Sequence, residues 1–259
     1  MKWIQFALLL FPLFLIGQTS IRGELVQKVP LDVDRIEGVD NFGTLYYTKN
    51  NIFYKKSNTS EINYSNVQLG NVTSTNTFNP LKMLLFYKDF NTVIILDNRL
   101  AEIFKIDFNT TNPYKNVSHI STGNDNTLWL FNMDNQKLEL YDYKTKKVRA
   151  TTVPVSSQVL DITSNYNFCW LLTQNFLYKY NYFGSMVQKI PNDGYSKISM
   201  FNETTYLLKD QALVQLDKNF ETFTPLVLGD LLINQFFVTN ETLYIYDSKF
   251  LNQIHLKSN

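Results

Sequence analysis

Four aromatic residues, Trp129, Trp170, Tyr206 and Tyr244, recur at one position of a repeated strand motif, and aromatic faces at matched positions could stack on sugar rings. Four acids, Asp40, Asp89, Asp125 and Asp161, fall near points where successive repeats should turn toward a common centre; paired carboxylates of that kind hydrolyse glycosidic bonds. His119, His255 and Cys169 add base or nucleophile chemistry. Each group also has a plainer reading. The aromatics are mid-strand, where burial between neighbouring repeats uses their large area. The acids suit solvated loops. The two histidines lie in different repeats, Cys169 sits in an apolar strand, and no base with an orienting acid stands at readable spacing from a nucleophile. An Asp box (Ser-x-Asp-x-Gly-x-Thr-Trp), a Walker motif, a calcium loop and His-Glu-x-x-His are all missing from the sequence. Catalytic, cofactor-binding and metal-ligating residues are therefore assigned to none, partner-binding residues are left open, and the chain is expected to be a non-enzyme without a cofactor.

The elements that would position these residues come from an internal repeat of roughly 35 to 48 residues that runs from about residue 35 onward. Its mark is a strand that opens on small or polar residues: 43–47, 91–95, 126–130, 167–171, 203–207 and 241–245. A polar turn follows each, as at Lys49-Asn50-Asn51, Asp134-Asn135-Gln136 and Lys209-Asp210-Gln211, and then a second strand. An apolar strand precedes each hairpin, clearest at 81–87, 117–121, 159–163, 197–201 and 232–238, and a more polar one follows most of them, as at 147–151 and 186–190. Four strands per unit, apolar inside and polar outside, with no helical periodicity, predict an all-β fold: a single β-propeller of six four-stranded blades, or seven if the long stretch 61–80 holds another. The strand at 24–30 has no hairpin partner and is expected to close the ring by completing the last blade.

Composition narrows the partners. The 259 residues carry 24 Lys+Arg against 23 Asp+Glu, so no basic excess favours nucleic acid or an anionic membrane. One Cys forms no internal disulfide, and one Cys with two distant His makes no zinc module. Met1 and Lys2 precede an apolar run over 3–17 that is short for a bilayer span and contains Pro12; it reads as a signal peptide, 1–17, with the propeller domain at 18–259. An exported, periplasmic protein is expected. Seven Asn-x-Ser/Thr sequons, at Asn58, Asn63, Asn71, Asn109, Asn116, Asn202 and Asn240, follow from a composition rich in Asn, Ser and Thr, and would matter in a eukaryotic secreted glycoprotein.

The stretch Asn79-Pro80-Leu81-Lys82-Met83-Leu84-Leu85-Phe86-Tyr87-Lys88-Asp89-Phe90-Asn91-Thr92-Val93-Ile94-Ile95-Leu96-Asp97-Asn98-Arg99-Leu100 resembles a cell-envelope β-propeller family of Bacteroidota, flavobacteria in particular. The resemblance covers about 40 residues, 67–106; elsewhere the match is to propeller blades in general. More pointedly, the chain is similar to the small periplasmic subunit that plugs the type IX secretion translocon. That likeness implies a non-catalytic protein-protein interaction subunit on the periplasmic side of the outer membrane, partnered by a large β-barrel or its accessory subunits. The alternative is a carbohydrate-binding or glycan-processing propeller that works at the channel mouth; three or more aromatic or acidic side chains converging on one concave face would favour it.

Overall fold

The computed structural model describes residues 20–240 and 242–258, so the expected signal peptide lies outside the described residues. Among the described residues there are 24 strands and two single 3-10 turns, at 88–90 and 108–110, and no α-helix. No helix there is long and apolar enough to cross a membrane.

The first strand, β1 (Ile21–Pro30), precedes the repeats. Four separate four-stranded antiparallel sheets follow. The first holds β2 (Arg35–Val39), β3 (Leu45–Lys49), β4 (Ile52–Lys56) and β5 (Glu61–Tyr64); the second β6 (Ser74–Asn76), β7 (Met83–Tyr87), β8 (Thr92–Leu96) and β9 (Glu102–Asp107). The third contains β10 (Val117–Thr122), β11 (Thr127–Asn132), β12 (Lys137–Asp142) and β13 (Lys147–Thr151); the fourth β14 (Val159–Ser164), β15 (Phe168–Thr173), β16 (Phe176–Asn181) and β17 (Met186–Pro191). The remaining strands are β18 (Lys197–Phe201), β19 (Thr204–Lys209), β20 (Ala212–Leu216), β21 (Phe223–Val227), β22 (Gln235–Thr239), β23 (Thr242–Tyr246) and β24 (Phe250–Ser258). The all-β propeller is thus present, with a correction to the expected six separate blades. The last strands form one eight-stranded sheet in the order β18-β19-β20-β21-β1-β24-β23-β22.

The cause is the length of β1. It runs antiparallel to β24 from Ile21↔Ser258 to Pro30↔Phe250, and its first two residues also pair in parallel with Leu226 and Val227 of β21. Those two rungs join what would otherwise be separate sheets. Gly23 lies inside this seam, and a Cβ there would come within 2.6 Å of Leu228 and 2.7 Å of Ile254. The first strands, β2, β6, β10, β14, β18 and β22, stand side by side around a central channel, and β22 returns to β2.

A second correction concerns the unit at 61–107. The strands at 81–87 and 91–95, expected as the first and second of their blade, are its second and third. The first is β6, a three-residue Ser-Thr-Asn strand, too short and polar to show a periodic pattern. Every residue of β7 and β8 is buried, so both read as inner strands. The long stretch therefore holds β5 and β6, and no further set of strands is present among the described residues.

Hairpin chemistry fits the turns. Asn50 and Asn51 both take positive φ, 52° and 62°, as a two-residue loop between right-twisted strands requires. The cores lie between sheets. Trp129 packs with Cys169 and Tyr180 between the third and fourth sheets, and Trp170 with Leu207 and Leu216 between the fourth and its successor. Gly23→Val should destabilise the protein by about 1–3 kcal/mol through overpacking of the β1 seam, whereas Val26→Ala, at an exposed position of the same strand, should stay within about 0.5 kcal/mol. Urea denaturation of both variants checks this.

Candidate functional site: the channel mouth

The four matched aromatics are packing residues for the most part: Trp129, Trp170 and Tyr206 are buried, and Tyr244 is half-buried in β23. Cys169 is fully buried, and burial pushes its thiol pKa well up. His255 lies half-exposed on β24 opposite Glu24, far in the fold from the channel strand that carries His119. The four acids do not converge. In an antiparallel meander, the first-to-second and second-to-third turns emerge at opposite ends. Asp40 and Asp125 occupy the former, Asp89 the latter, and Asp161 stands near the start of β14. Among the described residues no three His, Cys, Asp or Glu side chains come together to hold a metal ion.

The starting end of the channel is charged. Arg35, His119, Asp161, Lys197 and Gln235 sit at matching rungs, each directly before a large apolar residue, Ile36, Ile120, Ile162, Ile198 or Phe236. Two of them perform the same task. The Gln235 amide accepts from the Ile36 backbone N–H and donates to the Ile36 carbonyl, both at 2.9 Å, while Asp161 Oδ2 accepts from the Ile198 N–H at 3.1 Å. Each thereby bridges to the next first strand around the ring. Burial pushes the Asp161 carboxyl pKa up, against the pull of Lys197 and of the Ile198 and Ile162 amides. His119 is lowered to about 4 by burial, assisted by repulsion from Lys88 and Lys197. Bulges at Glu37, Ser118 and Leu160 re-aim three of these strands as they enter the channel.

The opposite end opens into a concavity of about 600 Å³. Its walls come from β2, β6, β14, β18 and β22 and the turns that leave them, but not from β10. Behind the wall, β10 is tied off by hydroxyls and an amide: Asn76 Nδ2 donates to Ser121 Oγ at 3.1 Å, and Ser164 Oγ donates to Ser121 Oγ at 2.7 Å. Gly38 lets the strands approach closely here: a Cβ would lie 2.5 Å from Thr77 Oγ1 and force that side chain to turn away. Lys82 braces the adjoining turn. Its buried ammonium donates to the carbonyls of Gly123, Asp125 and Thr127 at 2.7, 2.9 and 3.0 Å. Burial lowers its pKa to about 8, which still leaves it charged at neutral pH.

On this braced rim stand residues the sequence reading did not single out. Phe42 is 91% exposed, Phe78 46% and Tyr166 42%, and the last two meet edge to face at 5.2 Å. Phe201 and Phe237 line the wall below them. A signal was available: three first-to-second turns, Asp40-Asn41-Phe42-Gly43, Thr77-Phe78-Asn79 and Asn165-Tyr166-Asn167, carry a large aromatic where tight hairpins call only for Gly, Asn or Asp. Of the predicted residues, the concavity takes in Asp40 and the sequon Asn202.

Two stability measurements probe this arrangement. Lys82→Met leaves three carbonyls without their donor and should cost about 2–3 kcal/mol in urea unfolding. For His119 the unfolded chain takes up a proton near pH 6.5 and the folded protein only near 4, so stability is lost as pH falls through that window, by up to about 3 kcal/mol. Asp161 has the opposite sign, since its raised folded pKa makes the folded state hold a proton more tightly. Unfolding free energies from pH 4 to 7.5 should therefore fall less steeply in His119→Gln than in the wild type.

The whole arrangement superposes on solved β-propellers. A streptogramin B lyase matches with a TM-score of 0.62 and 9% identity, over 93% of this chain and 98% of that one. The virginiamycin B lyase of Staphylococcus aureus matches with a TM-score of 0.58 and 13% identity, over 85% of this chain and 79% of its own. PorZ, an essential bacterial surface component of the type IX secretion system of Porphyromonas gingivalis, matches with a TM-score of 0.50 and 14% identity; 84% of this chain aligns with 31% of PorZ. No family model matches the chain, and no curated protein does. At such identities the likenesses establish the β-propeller fold, which serves lyases and a secretion-system component alike, and the chemistry of this chain rests on its own residues.

Proposed function

We propose that this protein is a non-catalytic recognition propeller of the bacterial cell envelope, exported to the periplasm, which binds through the mouth marked by Phe42, Phe78 and Tyr166. The observation that carries this reading is the aromatic rim. Phe42 stands almost wholly exposed and Phe78 and Tyr166 about half exposed on hairpin turns that call for no aromatic, and exposed aromatics around a concavity are typical of binding surfaces. The rim stands on rigid supports, the Lys82 brace and the Ser121–Ser164 tie, so little order has to be imposed on binding.

Export is supported by the charged start and apolar run at 1–17. The partner we propose is a large outer-membrane β-barrel or its accessory subunits, with the type IX translocon as the machine and closure of its periplasmic mouth as the role. Support for that placement is the stretch 79–100, together with a fold shared with PorZ. A closed ring of sheets suits such a post, because its scaffold is stiff while its turns vary.

Mild-detergent purification of the tagged protein from its native envelope, followed by mass spectrometry, tests the reading. A giant barrel should co-purify in near-stoichiometric amount, and the Phe42→Ala/Phe78→Ala/Tyr166→Ala variant, folded as judged by its melting curve, should lose it. Recovery of the wild-type propeller alone, under conditions that keep other envelope complexes intact, would contradict the proposal.

A further inference from the structure

We infer that the mouth reads a neutral saccharide chain; this rests on the mouth being the recognition site and names what it recognises. Charge comes first. The lining contains no Lys, Arg or His, and its two carboxylates are already engaged. Asp40 Oδ1 accepts from the Phe42 and Thr44 backbone amides, each at 2.9 Å, and Oδ2 from the Tyr46 hydroxyl at 3.2 Å. Glu37 accepts from Arg35 Nε at 2.7 Å, Thr48 Oγ1 at 3.0 Å and Thr75 Oγ1 at 2.8 Å. An anionic ligand finds no cation here; the Glu37 carboxylate is already paired with Arg35, and that of Asp40 is tied into its own turn.

What the walls do offer is uncharged hydrogen-bonding groups and flat rings. The side chains of Asn41, Asn202, Thr163 and Ser199 line the concavity and have no hydrogen-bond partner among the described residues, which leaves amide and hydroxyl groups free for a ligand. Phe78 and Tyr166 meet at an interplanar angle of 81°, so their faces form a corner, and Phe42 stands exposed on the same rim. A pyranose ring has the matching surface. Its C–H face packs on the electron-rich face of an aromatic ring, while its hydroxyls exchange hydrogen bonds with amides and hydroxyls. The volume, about 600 Å³, accommodates roughly two or three sugar units at the size typical of ligand pockets.

The test is isothermal titration of the purified protein with cellohexaose, maltohexaose, laminarihexaose and chitohexaose, with polygalacturonate as an anionic control. At least one neutral hexasaccharide should bind, Phe78→Ala and Tyr166→Ala should each weaken it about tenfold, and Tyr114→Ala, an exposed tyrosine in the turn that leads into β10, should leave it unchanged. Absence of binding by all four at about 10 mM would overturn the inference, as would binding that survives in the folded triple variant or a preference for the anionic chain. The two readings fail separately. If no saccharide binds and yet the envelope partner is captured by the wild type and lost by the triple variant, the mouth is a protein site and the saccharide inference falls alone. If binding to the partner is abolished by enzymatic deglycosylation of the envelope fraction, the chain that is read is one carried by the partner.

Discussion

The inner edge of each sheet in this ring faces a channel and not another strand, so the backbone groups there are left to water or to side chains from the neighbouring sheet. That constraint organises the centre of the molecule. Gln235 bridges to the Ile36 backbone, Asp161 to the Ile198 N–H and Ser164 Oγ to the Thr122 carbonyl, while Glu37–Thr75 and Ser164–Ser121 join side chains across the same gaps. Each bond is partly or wholly removed from water, where leaving a polar group unpaired would be costly. Lys82 carries the idea furthest, since all three of its ammonium hydrogens are donated to carbonyls of an adjacent turn. The outer constraint is met by β1, which covers the edge of β24 along its length and touches β21 at its start. Together these fix the first-to-second turns, and with them the aromatic rim.

The two ends of the channel are consequently different chemical environments. At the starting end His119 feels the charges of Lys88 and Lys197, Asp161 feels that of Lys197, and burial moves the two titrations in opposite senses. At the mouth the only charged groups are two carboxylates, Glu37 paired with Arg35 and Asp40 held by neutral donors, and the remaining polar groups are neutral. At the first end Asp161 and Arg35 hold neighbouring sheets together, through the Ile198 amide and through the carbonyls of Val72 and Thr73. Uncharged residues at the mouth are left over from that work, and a recognition surface is best sought among such leftovers.

Most strands of the propeller were legible because alternation of β-branched and aromatic residues with Asn/Asp turns is a local signal. Three features were not. β6 is three polar residues held in place by Leu84, Leu85 and Phe86 across the ladder, so its identity depends on tertiary pairing. The eight-stranded sheet depends on two parallel rungs between residues some two hundred positions apart. The buried pair Lys115–Glu139, ringed by Asn132 and Asn135, looks in sequence like ordinary surface charge. The candidate site was half legible. Trp129 and Trp170 stood out by their repeat position and proved to be core, whereas Phe42, Phe78 and Tyr166 were readable only as residues out of place in tight turns.

The rim carrying Phe42 is proposed as the surface that meets a macromolecular ligand in the envelope. Replacing Phe42 by a photo-crosslinking phenylalanine analogue in the native cell, with Tyr114 replaced in a parallel strain, tests it most directly. A discrete high-mass adduct after irradiation from position 42, and none from 114, is the predicted result. Adducts from position 114 with none from 42 would place recognition at the other end of the channel and contradict the account.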